Sequence, residues 1–129
     1  MMRIFKNRWF ARFARKERIS DALLCAAVRE AETGHVDADY GGGVIKQRIA
    51  REGAGKSGGY RSVILYRRGD RAFFVYGFSK SEMENIKNSE EIAFKKLADL
   101  MFSKTELELN QALNVEIWEV ECHGQTSTL

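Results

Sequence analysis

Residues 60–78 read YRSVILYRRGDRAFFVYGF. Two runs rich in β-branched and aromatic side chains, 60–67 and 71–78, flank Arg68-Gly69-Asp70. Such side chains suit the pleated, half-buried surface of a strand. Gly-Asp between two such runs is a hairpin signal. Immediately upstream, residues 44–51 (VIKQRIAR) alternate apolar and polar, which predicts a third strand. Glycines 53, 55, 58 and 59 join it to the run that starts at Tyr60. Three consecutive strands with short connections predict an antiparallel meander.

Working outward, residues 2–6 predict a short strand and residues 7–17 a basic helix. Trp9, Phe10 and Phe13 form the helix's aromatic edge, with Arg8, Arg12 and Arg15 on another face. Ser20 and Asp21 supply an N-cap for a second helix, whose Leu23, Leu24, Ala27 and Val28 share a face before Gly34 ends it. Residues 35–43 (HVDADYGGG) read as a polar, glycine-rich loop. Beyond the meander, Ser81 or Ser89 opens a helix with a buried stripe of Ile92, Leu97, Leu100 and Met101, Ala93 and Phe94 lying close by. Ser103-Lys104-Thr105-Glu106 fits a capping box for a short helix through Leu113. Residues 115–120 are a last strand or an extended tail. The sum is α+β: N-terminal helices packed on a three- to four-stranded antiparallel sheet, with a C-terminal helix. Residues 1–122 read as one domain and 123–129 (HGQTSTL) as a disordered tail.

The chain has 129 residues, 44% hydrophobic and 30% charged, with no proline. This is a globular composition, not a disordered one. No apolar run approaches the roughly 18 residues of a membrane helix. The N-terminal stretch is basic and amphipathic, but it lacks the serines of a transit peptide and the apolar core of a secretory signal. A helix docked on the core is therefore expected in preference to a membrane-surface helix, and the expected compartment is the cytoplasm. Cys25 and Cys122 form no CxxC, which excludes a disulfide framework and a structural zinc site. The expected state is two unrelated thiols, with a single Cys25–Cys122 bridge as the alternative. The net charge of +3 is unevenly spread. Residues 1–71 carry an excess of Lys and Arg, and residues 72–129 an excess of Asp and Glu, so the basic half can attract a polyanion.

Two glycine motifs mislead. GAGKS at 53–57 imitates a phosphate-binding loop, but the first glycine position is Ala50 and a strand follows instead of a helix. Gly53-x-Gly55-x-x-Gly58 matches a dinucleotide fingerprint by letter and fails on the same ground. Glycines around a lone lysine still let backbone approach a phosphate while Lys56 supplies charge. His35 and His123 are far apart and have no partners at ligand spacing, so no metal site is predicted. No nucleophile elbow is present, and no cofactor is expected.

What remains is a set of cations on the meander. Lys46 and Arg48 share a strand face, and Arg51 ends that strand. Strand 60–67 begins where strand 71–78 ends, because the two run in opposite directions. Arg61 and Lys80 are therefore expected to be neighbours, with Lys56 beside them.

Residues 36–86 resemble the RelE/HigB family of type II toxins. KxRIAR, GxGKSGGYR, GDRAFF-YGF-K and E-x-x-NI carry the resemblance, and the flanking helices extend it to about residues 3–102. The resemblance implies a small microbial-RNase (RelE-type) fold and an mRNA interferase that cleaves at the ribosomal A site. It implies a cognate antitoxin with a helix-turn-helix domain, and contact with operator DNA only through that antitoxin. It also implies basic active-site roles for Lys56, Arg61 and Lys80. Many such toxins use a tyrosine after the last strand. Here SEMENI follows Lys80, with Glu82 in that region, so Glu82, Tyr60 and a lysine are all candidates for proton transfer.

RNA cleavage without a metal uses the 2′-OH as internal nucleophile, a base, an acid and cations that stabilise the dianionic transition state. Arg61 is expected to clamp the phosphate. Lys56 and Lys80 would share phosphate binding and proton transfer. Lys46, Arg48, Arg51 and Phe78 are candidate RNA contacts, Phe78 by stacking. The rival functions are a ParE-like gyrase inhibitor of the same fold and a non-catalytic nucleic-acid-binding module.

Overall fold

The computed structural model describes residues 2–51, 59–80 and 85–122. In chain order the elements are β1 (Arg3–Asn7), α1 (Arg8–Glu17), α2 (Asp21–Glu32), β2 (Ala38–Gly41), β3 (Val44–Ile49), β4 (Tyr60–Arg67), β5 (Arg71–Ser79), α3 (Asn88–Phe102), α4 (Glu106–Ala112) and β6 (Ile117–Glu119). The expected α+β class holds. Among the described residues the sheet has six strands in the order β2-β3-β4-β5-β1-β6, more than expected. The β3-β4-β5 meander is antiparallel, β1 lies parallel to β5, and β6 closes antiparallel on β1.

Apolar side chains on both faces of the sheet make two cores. Ile4, Ile45, Ile49, Ile64 and Phe74 pack with Phe10 and Ala14 of α1 and Leu24 and Val28 of α2. Phe5, Val44, Val63, Leu65 and Phe73 pack with Ala98 of α3 and Leu109 of α4. Phe5, Phe10, Phe73 and Phe74 are fully buried, each worth about 2–3 kcal/mol relative to exposure. The helix α1 starts where the Asn7 side chain accepts the Phe10 N–H at 2.8 Å. It packs so closely on β5 that a Cβ at Gly77 would sit 2.6 Å from the Phe13 ring.

Several expectations need correction. Residues 35–43 are not all loop. They contain the edge strand β2, which turns into β3 through Gly41, Gly42 and Gly43 at φ of 81°, 62° and 80°. In that left-handed region any other residue type costs about 1–2 kcal/mol. The cap of α3 is Lys87, whose N–H donates to Glu90 at 2.8 Å. Ser89 falls inside the first turn, and Ser81 lies outside the described residues. The inward stripe of α3 is Phe94, Leu97, Ala98, Met101 and Phe102, at helical spacing, whereas Ile92 and Leu100 are more than half exposed. The capping box before α4 pairs Thr105 with Glu108 instead of starting at Ser103. Cys25 and Cys122 are joined in a disulfide, their Cα atoms 5.9 Å apart, where free thiols were expected. The tail segment 123–129 lies outside the described residues.

Candidate active site

The register of the meander sets the site. Arg48 stands opposite Arg61, and Arg61 stands opposite Phe78. Lys46 lies two residues before Arg48 on the same face of β3. On this face, beside the segment that leads into α3, Asp37, Lys46, Arg61, Lys80 and Asn85 line a cleft of about 250 Å³. Arg61 and Lys80 therefore meet in one cleft. Lys56 and Glu82 lie outside the described residues.

Asp37 was not anticipated, and it organises the cleft. Its Oδ2 lies 3.4 Å from Lys46 Nζ and 3.3 Å from Arg61 Nε. The Lys46 and Arg61 side chains are only 12% exposed, and Asp37 is 33% exposed. Lys46 Nζ also donates to Asn85 Oδ1 at 2.9 Å, and that oxygen accepts the Tyr40 hydroxyl at 3.1 Å. Burial, with help from Glu91 and Asp37, pushes the Tyr40 hydroxyl above its ordinary value, so it stays a neutral donor. Lys80 is exposed and makes no ion pair among the described residues. The cleft thus holds three cations and one carboxylate among the described residues, a net positive charge that favours an anion.

The other sequence candidates fall elsewhere. Tyr60 points to the opposite face, into the core beneath α1 and α2, and its hydroxyl donates to Glu17 at 2.8 Å. Arg51 lies over the Tyr60 ring, 5.7 Å from its centroid, and not in the cleft. Phe78 is 4% exposed and packed in the second core beside Tyr76, so it floors the region and presents no free ring face to a base. Among the described residues, no group of three or more His, Cys, Asp or Glu is placed to hold a metal ion.

The family model for the RelE toxin of the RelE / RelB toxin-antitoxin system matches residues 2–120. The chain belongs to the RelE toxin family. Its order of helices around an antiparallel meander is that of a RelE-type fold, and family membership implies an antitoxin partner. No curated protein matches this RelE-family chain significantly. Among the described residues, no helix of the RelE-family toxin is long and apolar enough to cross a membrane.

Proposed function

We propose that this toxin is an endoribonuclease that cleaves mRNA in the ribosomal A site through the substrate's own 2′-hydroxyl, without a metal. A helix-turn-helix antitoxin would hold it in check and carry it to operator DNA. The convergence of Lys46, Arg61 and Lys80 on one open end of the sheet carries the reading. Attack of the 2′-oxygen on phosphorus builds a dianionic pentacoordinate phosphorus, and fixed cations in a partly dry cleft stabilise that charge. Arg61 Nε is engaged by Asp37 and Nη1 donates to the Tyr60 carbonyl at 3.4 Å, which leaves Nη2 for the phosphate. Lys46 is held between Asp37 and Asn85 and contributes fixed charge. Exposed Lys80 reaches the leaving 5′-oxygen as proton donor, and Lys56 adds charge from the glycine-rich connection.

The test is induction in growing bacteria, wild type beside the Arg61→Ala/Lys80→Ala double variant, with mRNA 5′ ends mapped. Growth arrest with new ends inside translated codons, absent in the variant, supports the interferase. Arrest without new ends transfers the protein to the gyrase-inhibitor class. Soluble, folded wild type that neither arrests growth nor cuts RNA leaves a binding module.

A further inference from the structure

We propose that Asp37 is the general base of the cleavage, an inference that rests on the nuclease reading above. The reaction needs a group that removes the 2′-OH proton. The lysines and Arg61 of the cleft enter as cations, and the Tyr40 hydroxyl is held neutral. Tyr60 faces the other core. Asp37 is the carboxylate among the described residues that lines the cleft. Its two oxygens are in different situations. Oδ2 is fixed by Lys46 and Arg61, whereas Oδ1 accepts no hydrogen bond among the described residues.

Position follows from the same contacts. A phosphate on Arg61 Nη2, the guanidinium nitrogen that Asp37 and the Tyr60 carbonyl leave open among the described residues, lies beside the carboxylate that holds Arg61 Nε. The nucleophilic hydroxyl belongs to the ribose directly attached to that phosphate, so it reaches the carboxylate without any rearrangement of the cations. Asp37 then takes the 2′-OH proton as the O2′–P bond forms. The P–O5′ bond breaks, and Lys80 gives its proton to O5′. The products are a 2′,3′-cyclic phosphate and a 5′-hydroxyl, with no oxidant or cofactor consumed. Among the described residues of the cleft the carboxylate is also the one anion, so its removal has opposite effects on binding and on chemistry.

Among the described residues, the titratable groups around Asp37 are Lys46 of β3, Arg61 of β4, Lys80 after β5 and Tyr40 of β2, with Glu91 of α3 acting on Tyr40. The experiment measures single-turnover cleavage on mRNA-programmed ribosomes, together with binding of a substrate whose cleavage-site ribose is 2′-deoxy. Asp37→Asn is expected to cleave at least 100-fold more slowly, the lower end of what a general base contributes. It is expected to bind the deoxy substrate as tightly as wild type or tighter, and to lose the acidic limb of the pH–rate profile. Asp37→Glu should restore part of the rate and the limb. Full activity in Asp37→Asn overturns the assignment, as does weaker binding with an unchanged pH profile, which would make Asp37 only a positioning residue. If wild type itself cleaves nothing, the nuclease reading fails, a result separate from an active Asp37→Asn protein.

Discussion

The buried Gln47 side chain fixes the backbone of Asp37: its Oε1 accepts the Asp37 N–H at 3.1 Å. Its Nε2 donates to the carbonyls of Ala27 and His35 at 3.0 and 2.8 Å. One amide, 2% exposed, thus ties the middle of α2, the segment before β2 and the interior of β3 together. Gln47→Ala strands buried polar groups and opens a hole, with an expected loss of about 2–4 kcal/mol. Urea unfolding measures the loss. Cleavage by the folded fraction should also fall, because the Asp37 carboxylate loses its platform.

Arg61 is nearly buried and forks between Asp37 and the open cleft. Arg61→Ala should cost about 3 kcal/mol of transition-state stabilisation, near 100-fold in rate. Arg61→Lys should recover little, since an ammonium cannot engage Asp37 and a phosphate along two edges at once. Single-turnover rates of the two variants check this, and a fully active Arg61→Ala protein would remove Arg61 from the chemistry.

The Cys25–Cys122 bridge spans 97 residues and pins the segment after β6 to α2. Closing so long a loop restricts the unfolded chain, so its loss should cost about 2–5 kcal/mol. Thermal melts of wild type with and without dithiothreitol, beside Cys25→Ser/Cys122→Ser, read the effect. The double serine variant should melt at the reduced protein's temperature and be indifferent to reductant.

Acid should loosen α4 early. The Thr105 N–H bonded to the Glu108 carboxylate holds Glu108 below its ordinary 4.5. Because the folded value is depressed, the stabilisation is present above 4.5 and is lost as pH falls through the folded value. The melting temperature of wild type should therefore drop more steeply below pH 4.5 than that of Glu108→Gln, as circular dichroism melts at stepped pH can show.

The meander was legible in the sequence because 60–67 and 71–78 are apolar on both faces and separated by an unambiguous turn. Once the strands were placed, antiparallel geometry alone brought Arg61 to Lys80. Strand β2 was missed because ADYG is short and polar at a sheet edge, where partner hydrogen bonds rather than burial define it. Asp37 was missed with it, since a carboxylate in a polar loop carries no signal until a hairpin folds it onto β3. The α3 stripe went wrong because Ile92 and Leu100, though apolar, share the face of Lys96, while small Ala98 occupies the contact with the sheet. Sequence spacing also leaves the Cys25–Cys122 pairing undecided, because a tail can reach any surface helix.

The place of β1 has a consequence for how the toxin is made. Arg3 pairs with Arg71, and Phe5 is flanked by Phe73 on one side and Glu119 on the other. A strand synthesised early must wait, exposed, for two partners that leave the ribosome much later. Pairings this distant in sequence make folding slow. The β1 strand that completes the sheet thus has no partner until β5 and then β6 have been synthesised. The toxin's sheet is therefore complete only once the C-terminal β6 has emerged.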